Sequence, residues 1–196
     1  LPDDNIWSIF CDSRDRIWLG TSTGLSIYEN GKFKTFPSYN GLDDDKIYHI
    51  SEDLLGNIWI ATANNGVSVY DGKSFKNYGI NDGLGFSECN RIFCQPNGTV
   101  WIGSFGYGLT RYKNGKFERV GTKENFKADY IFDIESRKDG GFYMLTEQGL
   151  YEYTQDDFTL INPVDFDYTR SSDLMVDTKN EIWISTYGLG VYKISE

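Results

Sequence analysis

Basic charge, histidine and long apolar runs are what this sequence of 196 residues has least of. Only 19 Lys and Arg stand against 29 Asp and Glu, a net charge of −10. Nucleic-acid binding needs a basic footprint that displaces counterions from phosphates, and anionic membrane surfaces repel the same acidic chain. Both partners are excluded, and the ligand to expect is neutral or cationic, or is held by neutral hydrogen bonds and stacking. No run approaches the roughly 18 apolar residues of a membrane span, so direct membrane insertion by this chain is excluded too. A single histidine, His49, rules out a two-His metal site and leaves any His-based triad hanging on one residue. No serine stands in a G-x-S-x-G elbow. The expectation is therefore no metal, no cofactor, no catalytic residue and no enzyme.

Other absences narrow the class further. No segment shows a convincing apolar period of 3.6, so helix is expected to be nearly absent. The run Asp43-Asp44-Asp45 lacks the spacing of a Ca²⁺ loop and reads as a solvated acidic turn. Asp53 reads as an acceptor for the hydrogen bonds of its own turn. Three cysteines, an odd count, argue against a disulfide framework. Cys11 and Cys94 each lie seven residues before a Trp and are expected to be buried in strands. The N-terminus Leu1-Pro2-Asp3-Asp4 lacks the regions of a signal peptide. The chain is then cytosolic, already processed, or cut from something longer.

What is abundant is aromatic residues and glycine: 14 Tyr, 13 Phe, 5 Trp and 21 Gly, the composition of many short strands joined by tight turns. These residues repeat. The segments RIWLGTSTGLSIYENGKFKTF, NIWIATANNGVSVYDGKSFKNY, TVWIGSFGYGLTRYKNGKFERV, GFYMLTEQGLYEYTQDDFTLI and EIWISTYGLGVYKIS align on Trp18, Trp59, Trp101, Tyr143 and Trp183. The anchors are 41, 42, 42 and 40 residues apart.

Each unit resolves into four strands. In the first, strand A is Asn5–Phe10, strand B surrounds Ile17-Trp18-Leu19, strand C is Leu25–Tyr28 and strand D is Lys32–Phe36. Asn30-Gly31 between C and D is a two-residue hairpin signal, repeated at Asn114-Gly115, with Asp71-Gly72 in the same part. A meander of this length cannot bury both faces alone; stacking around an axis solves that, and the period predicts an all-β propeller of four-stranded antiparallel blades. The blades fall at residues 1–41, 42–83, 84–126, 127–168 and 169–196, the last without its outer strand. That count predicts a piece of a larger propeller, or an assembly completed by another chain, with an exposed blade face and edge that invite association.

The pattern I-x-x-D-x-x-G-N-I-W-I-G-T-x-x-G-L-x-x-Y-x-N-G-x-F resembles the two-component regulator propeller repeat. It stands here as Ile50 through Asp53, Gly56-Asn57-Ile58-Trp59-Ile60-Ala61-Thr62, Gly66-Val67, Tyr70 and Asp71-Gly72. Repeat four departs most, with Gly141-Phe142-Tyr143-Met144 for the Trp core and Gln155-Asp156-Asp157 for Asn-Gly. The resemblance implies the periplasmic or extracellular sensor region of a bacterial hybrid two-component histidine kinase receptor, usually with seven blades. In gut Bacteroidetes such regions typically respond to oligosaccharides. Other domains of the same receptor would carry the signal onward. Lyases on related-looking propellers need a histidine-centred metal site, for which His49 alone is thin support.

Two residue sets are candidates for function. The B–C and D–A connections leave one side of the propeller and vary, as binding loops on a rigid scaffold do. Tyr39, Asn64, Asn65, Phe105, Tyr107, Gln148, Tyr168 and Tyr187 offer the aromatic faces and hydrogen-bonding groups a sugar requires, although loop packing also explains them. On strand A, Ser8, His49, Arg91, Asp133 and Asp173 are polar while the next residues, Ile9, Ile50, Ile92, Ile134 and Leu174, are apolar. That alternation packs the apolar set between blades and turns the polar set to a wet central channel, for a ligand or simply for solvent. Two functions stay open: a ligand-sensing propeller, or a non-catalytic interaction scaffold forming a homodimer or larger assembly.

Overall fold

The computed structural model describes residues 1–36, 41–42, 46–121, 125–161 and 167–194. Among the described residues the chain is all-β, folded as five antiparallel meanders of the propeller-blade kind, four with four strands and a last with three. Blade 1 comprises β1 (Ile6–Cys11), β2 (Ile17–Thr21), β3 (Gly24–Glu29) and β4 (Lys32–Phe36). Blade 2 comprises β5 (Ile47–Glu52), β6 (Ile58–Thr62), β7 (Val67–Tyr70) and β8 (Phe75–Tyr78). Blade 3 comprises β9 (Cys89–Cys94), β10 (Val100–Ser104), β11 (Leu109–Lys113) and β12 (Lys116–Arg119). Blade 4 comprises β13 (Ile131–Ser136), β14 (Phe142–Thr146), β15 (Gly149–Thr154) and β16 (Asp157–Ile161), and blade 5 β17 (Ser171–Val176), β18 (Ile182–Thr186) and β19 (Gly190–Ile194). Helix among the described residues is limited to the 3₁₀ turns Ile80–Asp82 and Tyr168–Arg170. Backbone contacts gather the chain into two compact units, Leu1–Ile102 with Thr110–Arg119 and Gly103–Leu109 with Val120–Glu196.

In the first unit, blades meet through aromatic boxes. Trp18 stacks on Phe36 at 5.9 Å, and both lie against Tyr70, with Phe75 beyond. The next contact repeats the pattern: Trp59 stacks on Tyr78 at 6.2 Å, and the pair faces Tyr112 and Phe117. Ile50, Ile58 and Ile60 of blade 2 are buried under Trp18, Leu25 and Ile27, as Ile92, Val100 and Ile102 are under the Trp59 face. In the second unit Leu174, Ile182 and Ile184 are buried with Tyr143, Leu145 and Leu150. Burying each large side chain contributes about 1.5–3 kcal/mol, so these faces hold the blades together.

Close approach is met by paired sizes. A Cβ on Gly20 would sit 2.6 Å from Cγ2 of Ile47, and one on Gly103 2.7 Å from Cβ of Ile131. At the corresponding places Ala61 is buried in one cluster with Cys89, and β14, bearing buried Leu145, lies against β17, bearing buried Ser171. Glycine on strand B thus accompanies isoleucine on the next strand A, Ala61 accompanies Cys89, and Leu145 reverses the order against Ser171.

Turns Asn30-Gly31 and Asn114-Gly115 have positive φ at both residues, as the two-residue hairpin requires. One expectation needs correction. Asp71-Gly72 opens a four-residue turn instead, because Asp71 Oδ1 accepts from the N–H groups of Lys73 and Ser74 and holds an Asx turn. Gln155 and Asp156 (φ 53° and 64°) make the two-residue geometry without glycine, and Asp156 is fixed there by the Tyr153 hydroxyl. The cysteines differ as well: Cys89 is buried and Cys94 partly so, but Cys11 is exposed. Cys11 shares a sheet face with Ile9 and Ile17, which are exposed as well.

Candidate ligand-binding face

The turn between strands A and B locks each anchor tryptophan. Asp12 Oδ2 accepts the indole N–H of Trp18 at 2.7 Å, Asp53 that of Trp59 at 2.9 Å, Gln95 that of Trp101 at 2.8 Å and Asp177 that of Trp183 at 3.2 Å. The same carboxylates accept turn N–H groups, as Asp53 does from Leu55 and Asn57. The anchors are therefore blade core, although Trp183 is only half buried. In blade 4 both partners change together: the Tyr143 ring has no N–H to donate, and Arg137 stacks on it at 4.8 Å. A hollow of about 310 Å³ on this side is lined by Ser13, Glu52, Asp53, Cys94 and Gln95. Its acidic groups are engaged, Glu52 by the N–H and Oγ of Ser13 and Asp53 by Trp59.

At the other end of strand B a second recurring bond shapes the B–C loops. The hydroxyls of Thr21, Thr62, Ser104, Thr146 and Thr186 donate to the carbonyls of Gly24, Gly66, Gly108, Gly149 and Gly190 at 2.8–3.0 Å. A hydroxyl at a strand end and a glycine three or four residues on is thus a loop clamp, and the variable residues between them are displayed.

Within the second unit these loops gather aromatic surface. Phe105 bridges to Tyr130, and the N–H groups of Gly106 and Gly108 both donate to the Asp129 carbonyl. Gly106 has φ +100°, and a Cβ there would meet the Tyr130 hydroxyl at 3.4 Å. The Glu147 carboxylate takes the N–H groups of Asp129 and Tyr130, each at 2.9 Å. Gln148 lies beside it and donates to Glu147. Phe105, Tyr107, Tyr130 and Tyr187 are all exposed, Tyr187 at 70%. The Tyr187 N–H donates to the carbonyl of Arg170, at the end of the turn that Asp167 caps.

Of the residues expected to bind, Phe105, Tyr107, Gln148 and Tyr187 stand on this face. Asn64 and Asn65 are exposed on the corresponding loop of the first unit. Tyr168 instead lies in the hydrophobic cluster of Tyr143 and Leu145, where the 3₁₀ turn folds it inward. Tyr39 lies outside the described residues. Tyr130 and Glu147 were missed: Tyr130 stands just before strand A, outside the loops inspected, and the role of Glu147 depends on where residues 129 and 130 come to lie.

The strand A polar set has a structural occupation. Strand A is bulged after its first residue in blades 1, 2, 4 and 5. Across blades, His49 Nδ1 accepts the N–H of Ile92 at 3.3 Å, and Asp133 Oδ2 that of Leu174 at 2.9 Å. Burial and then the Arg91 charge push the His49 pKa down to about 3, so the ring is a neutral acceptor. Arg91 donates to the Asn90 carbonyl, Ser8 is buried, and Asp173 is exposed and accepts no hydrogen bond among the described residues. No group of three or more His, Cys, Asp or Glu that could hold a metal comes together among the described residues. None of their helices is long and apolar enough to cross a membrane.

Residues 1–23 match the model of the two component regulator propeller. No curated protein sequence matches the chain. Among solved structures, the extracellular domain of a hybrid two component system from B. thetaiotaomicron superposes with a TM-score of 0.79 at 20% identity, over 100% of this chain and 29% of that one. Virginiamycin B lyase from Staphylococcus aureus superposes with a TM-score of 0.75 at 15% identity, over 97% and 70%. PorZ, a surface component of the type-IX secretion system of Porphyromonas gingivalis, does so with a TM-score of 0.70 at 16% identity, over 98% and 32%. The chain thus spans under a third of the two-component extracellular domain. Residues 1–23, in the first of five blades, are thus similar to the two component regulator propeller.

Proposed function

We propose that this propeller is a non-catalytic, extracytoplasmic ligand-sensing module of a two-component regulator, and that its ligand is an oligosaccharide. The observation that carries the reading is the exposed aromatic set Phe105, Tyr107, Tyr130 and Tyr187 on clamped loops beside Glu147 and Gln148. Flat rings take the C–H faces of a sugar, and amide and carboxylate groups take its hydroxyls. The acidic chain suits a neutral ligand and suits phosphate poorly. A lyase chemistry is disfavoured by His49, whose Nδ1 already holds a backbone N–H; a histidine-to-alanine variant of the virginiamycin B lyase is catalytically inactive. The signal would pass to domains of the receptor outside this chain.

Calorimetric titration with a panel of neutral and cationic oligosaccharides tests the reading. Saturable binding is expected, weakened tenfold or more by Tyr107→Ala and by Tyr187→Ala. A panel without saturable binding removes the proposal.

A further inference from the structure

The loop that presents Phe105 and Tyr107 takes its shape from its own blade. Ser104 Oγ donates to the Gly108 carbonyl and accepts the Tyr107 N–H, each at 3.0 Å. Those bonds stay within the loop, so they do not fix the direction in which the two rings point. Direction comes from blade 4. The Gly106 and Gly108 N–H groups donate to the Asp129 carbonyl at 2.9 and 2.8 Å, and Phe105 bridges to Tyr130. By its backbone contacts Gly103–Leu109 accordingly belongs with blades 4 and 5, apart from β9 and β12 of its own blade.

The segment Asp129-Tyr130 thus carries the loop, and Glu147 carries the segment. Glu147 Oε1 accepts the Asp129 N–H and Oε2 the Tyr130 N–H, each at 2.9 Å, and Gln148 Nε2 donates to Oε1 as well. The residue after the clamp hydroxyl is Ser22, Ala63, Phe105, Glu147 and Tyr187 in the five blades, so a carboxylate stands here in blade 4 alone. Ser22, Ala63 and Tyr187 bond the corresponding segment with their backbone N–H, which donates to the carbonyl of Asn5, Lys46 or Arg170. Charge-assisted bonds to two successive N–H groups are a stronger hold. Gly106 completes the arrangement. At φ +100° it leaves room for the Tyr130 ring, whose hydroxyl and nearest ring carbons would lie 3.4–3.8 Å from a Cβ there.

We infer that Glu147 is the positioning residue of the aromatic face. It sets Tyr130 through the backbone and, one link further, aims the loop of blade 3 that bears Phe105 and Tyr107. Rings contributed by two blades are then held in one arrangement before any ligand arrives, which lowers the cost of ordering them on binding. That consequence rests on the oligosaccharide reading; the coupling between the loops does not.

Amide hydrogen exchange of the ligand-free chain, read residue by residue by NMR, tests the coupling in Glu147→Ala and Glu147→Gln. Glu147 is only half buried, and unchanged exchange at Leu145 in β14 verifies the fold. In Glu147→Ala the Gly106 and Gly108 amides, which Glu147 never touches, are expected to exchange about tenfold faster, together with those of Asp129 and Tyr130. Tenfold is the scale of one hydrogen bond to a charged group. Glu147→Gln keeps one acceptor oxygen and is expected to fall between. Gly106 and Gly108 exchanging as in the parent chain overturns the inference, and so does an equal acceleration at Leu145, which would mark a general loss of stability. With an oligosaccharide from the panel that binds, Glu147→Ala is expected to weaken affinity about tenfold and Glu147→Gln less. Faster exchange with unchanged affinity overturns the positioning role and leaves the oligosaccharide reading standing. A panel without a binder removes that reading, and the exchange result alone then decides whether Glu147 aims the loop.

Discussion

Asp12 and Trp18 are joined by a hydrogen bond of 2.7 Å between two buried groups six residues apart, and the same carboxylate holds the Arg14 and Arg16 N–H groups and the Arg16 guanidinium. Burial works to raise the Asp12 pKa, but the bonds from Trp18 and from the turn outweigh it and hold the carboxyl below its ordinary range. One side chain therefore ties the A–B turn to the core of the blade.

Replacing Asp12 by Ala is expected to cost about 2–3 kcal/mol in denaturant unfolding, since it leaves a buried indole N–H without an acceptor. The contribution of the carboxylate is present above the ordinary Asp range and fades as pH falls through the lowered folded value. Asp177→Ala, at the half-buried Trp183, is expected to cost less.

Blade 4 offers the reverse experiment. Arg137 stacks on Tyr143 and pairs with Asp139 and Glu152. Arg137→Asp places three carboxylates together, and Tyr143→Trp alone sets an indole N–H beside a cation, so each is expected to destabilise. The double variant restores the Asp–Trp bond of blades 1, 2 and 5, and a double-mutant cycle is expected to show a favourable coupling of about 1 kcal/mol or more.

His49 gives a pH signature of its own. Its folded pKa of about 3 lies below the ordinary 6.5, so between those values the unfolded chain binds a proton that the folded chain refuses. Stability from this residue is complete above about pH 6.5 and falls as pH drops toward 3, by at most about 1.4 kcal/mol per pH unit. His49→Asn keeps an acceptor for Ile92 and cannot titrate. Unfolding measured from pH 7 to 5 is expected to show a shallower slope in that variant.

The Gly20–Ile47 contact predicts a compensated pair. Gly20→Ala drives a Cβ into the Ile47 branch and is expected to cost about 1–3 kcal/mol. Adding Ile47→Cys recreates the Ala61 and Cys89 arrangement and is expected to recover part of that loss, read from thermal unfolding of the two variants.

Much of this was legible in the residues because repetition supplies its own alignment. Strands, the buried anchors and the self-bonded Asp53 turn follow from positions recurring in phase. What escaped was set by neighbours in space. Cys11 resembles Cys94 in sequence, yet Cys11 is exposed and Cys94 is partly buried. Ser8, His49, Arg91, Asp133 and Asp173 read as one row facing water, whereas His49 and Asp133 spend their acceptors on backbone of the following blade. Phe105, Tyr107, Gln148 and Tyr187 were legible as residues of the variable loops, whereas the hold of Glu147 on residues 129 and 130 was not, because a carboxylate that organises backbone looks like any acidic loop residue.

The alternation of small and large residues at blade contacts bears on how such a chain can be rearranged by recombination. Blades are not interchangeable tiles, since each bears a socket fitted to its successor. A duplication that set a copy of blade 4 after itself would bring Leu145 against Ile131, two large residues where Gly103 now gives way. Deleting blade 2 would set Gly20 against Cys89, leaving a gap that a core tolerates better than a clash. Which blade is lost or copied therefore decides the outcome: deleting blade 3 would set Ala61 against Ile131 and overpack the contact, whereas copying blade 3 after itself would set Gly103 against Cys89 and leave a gap.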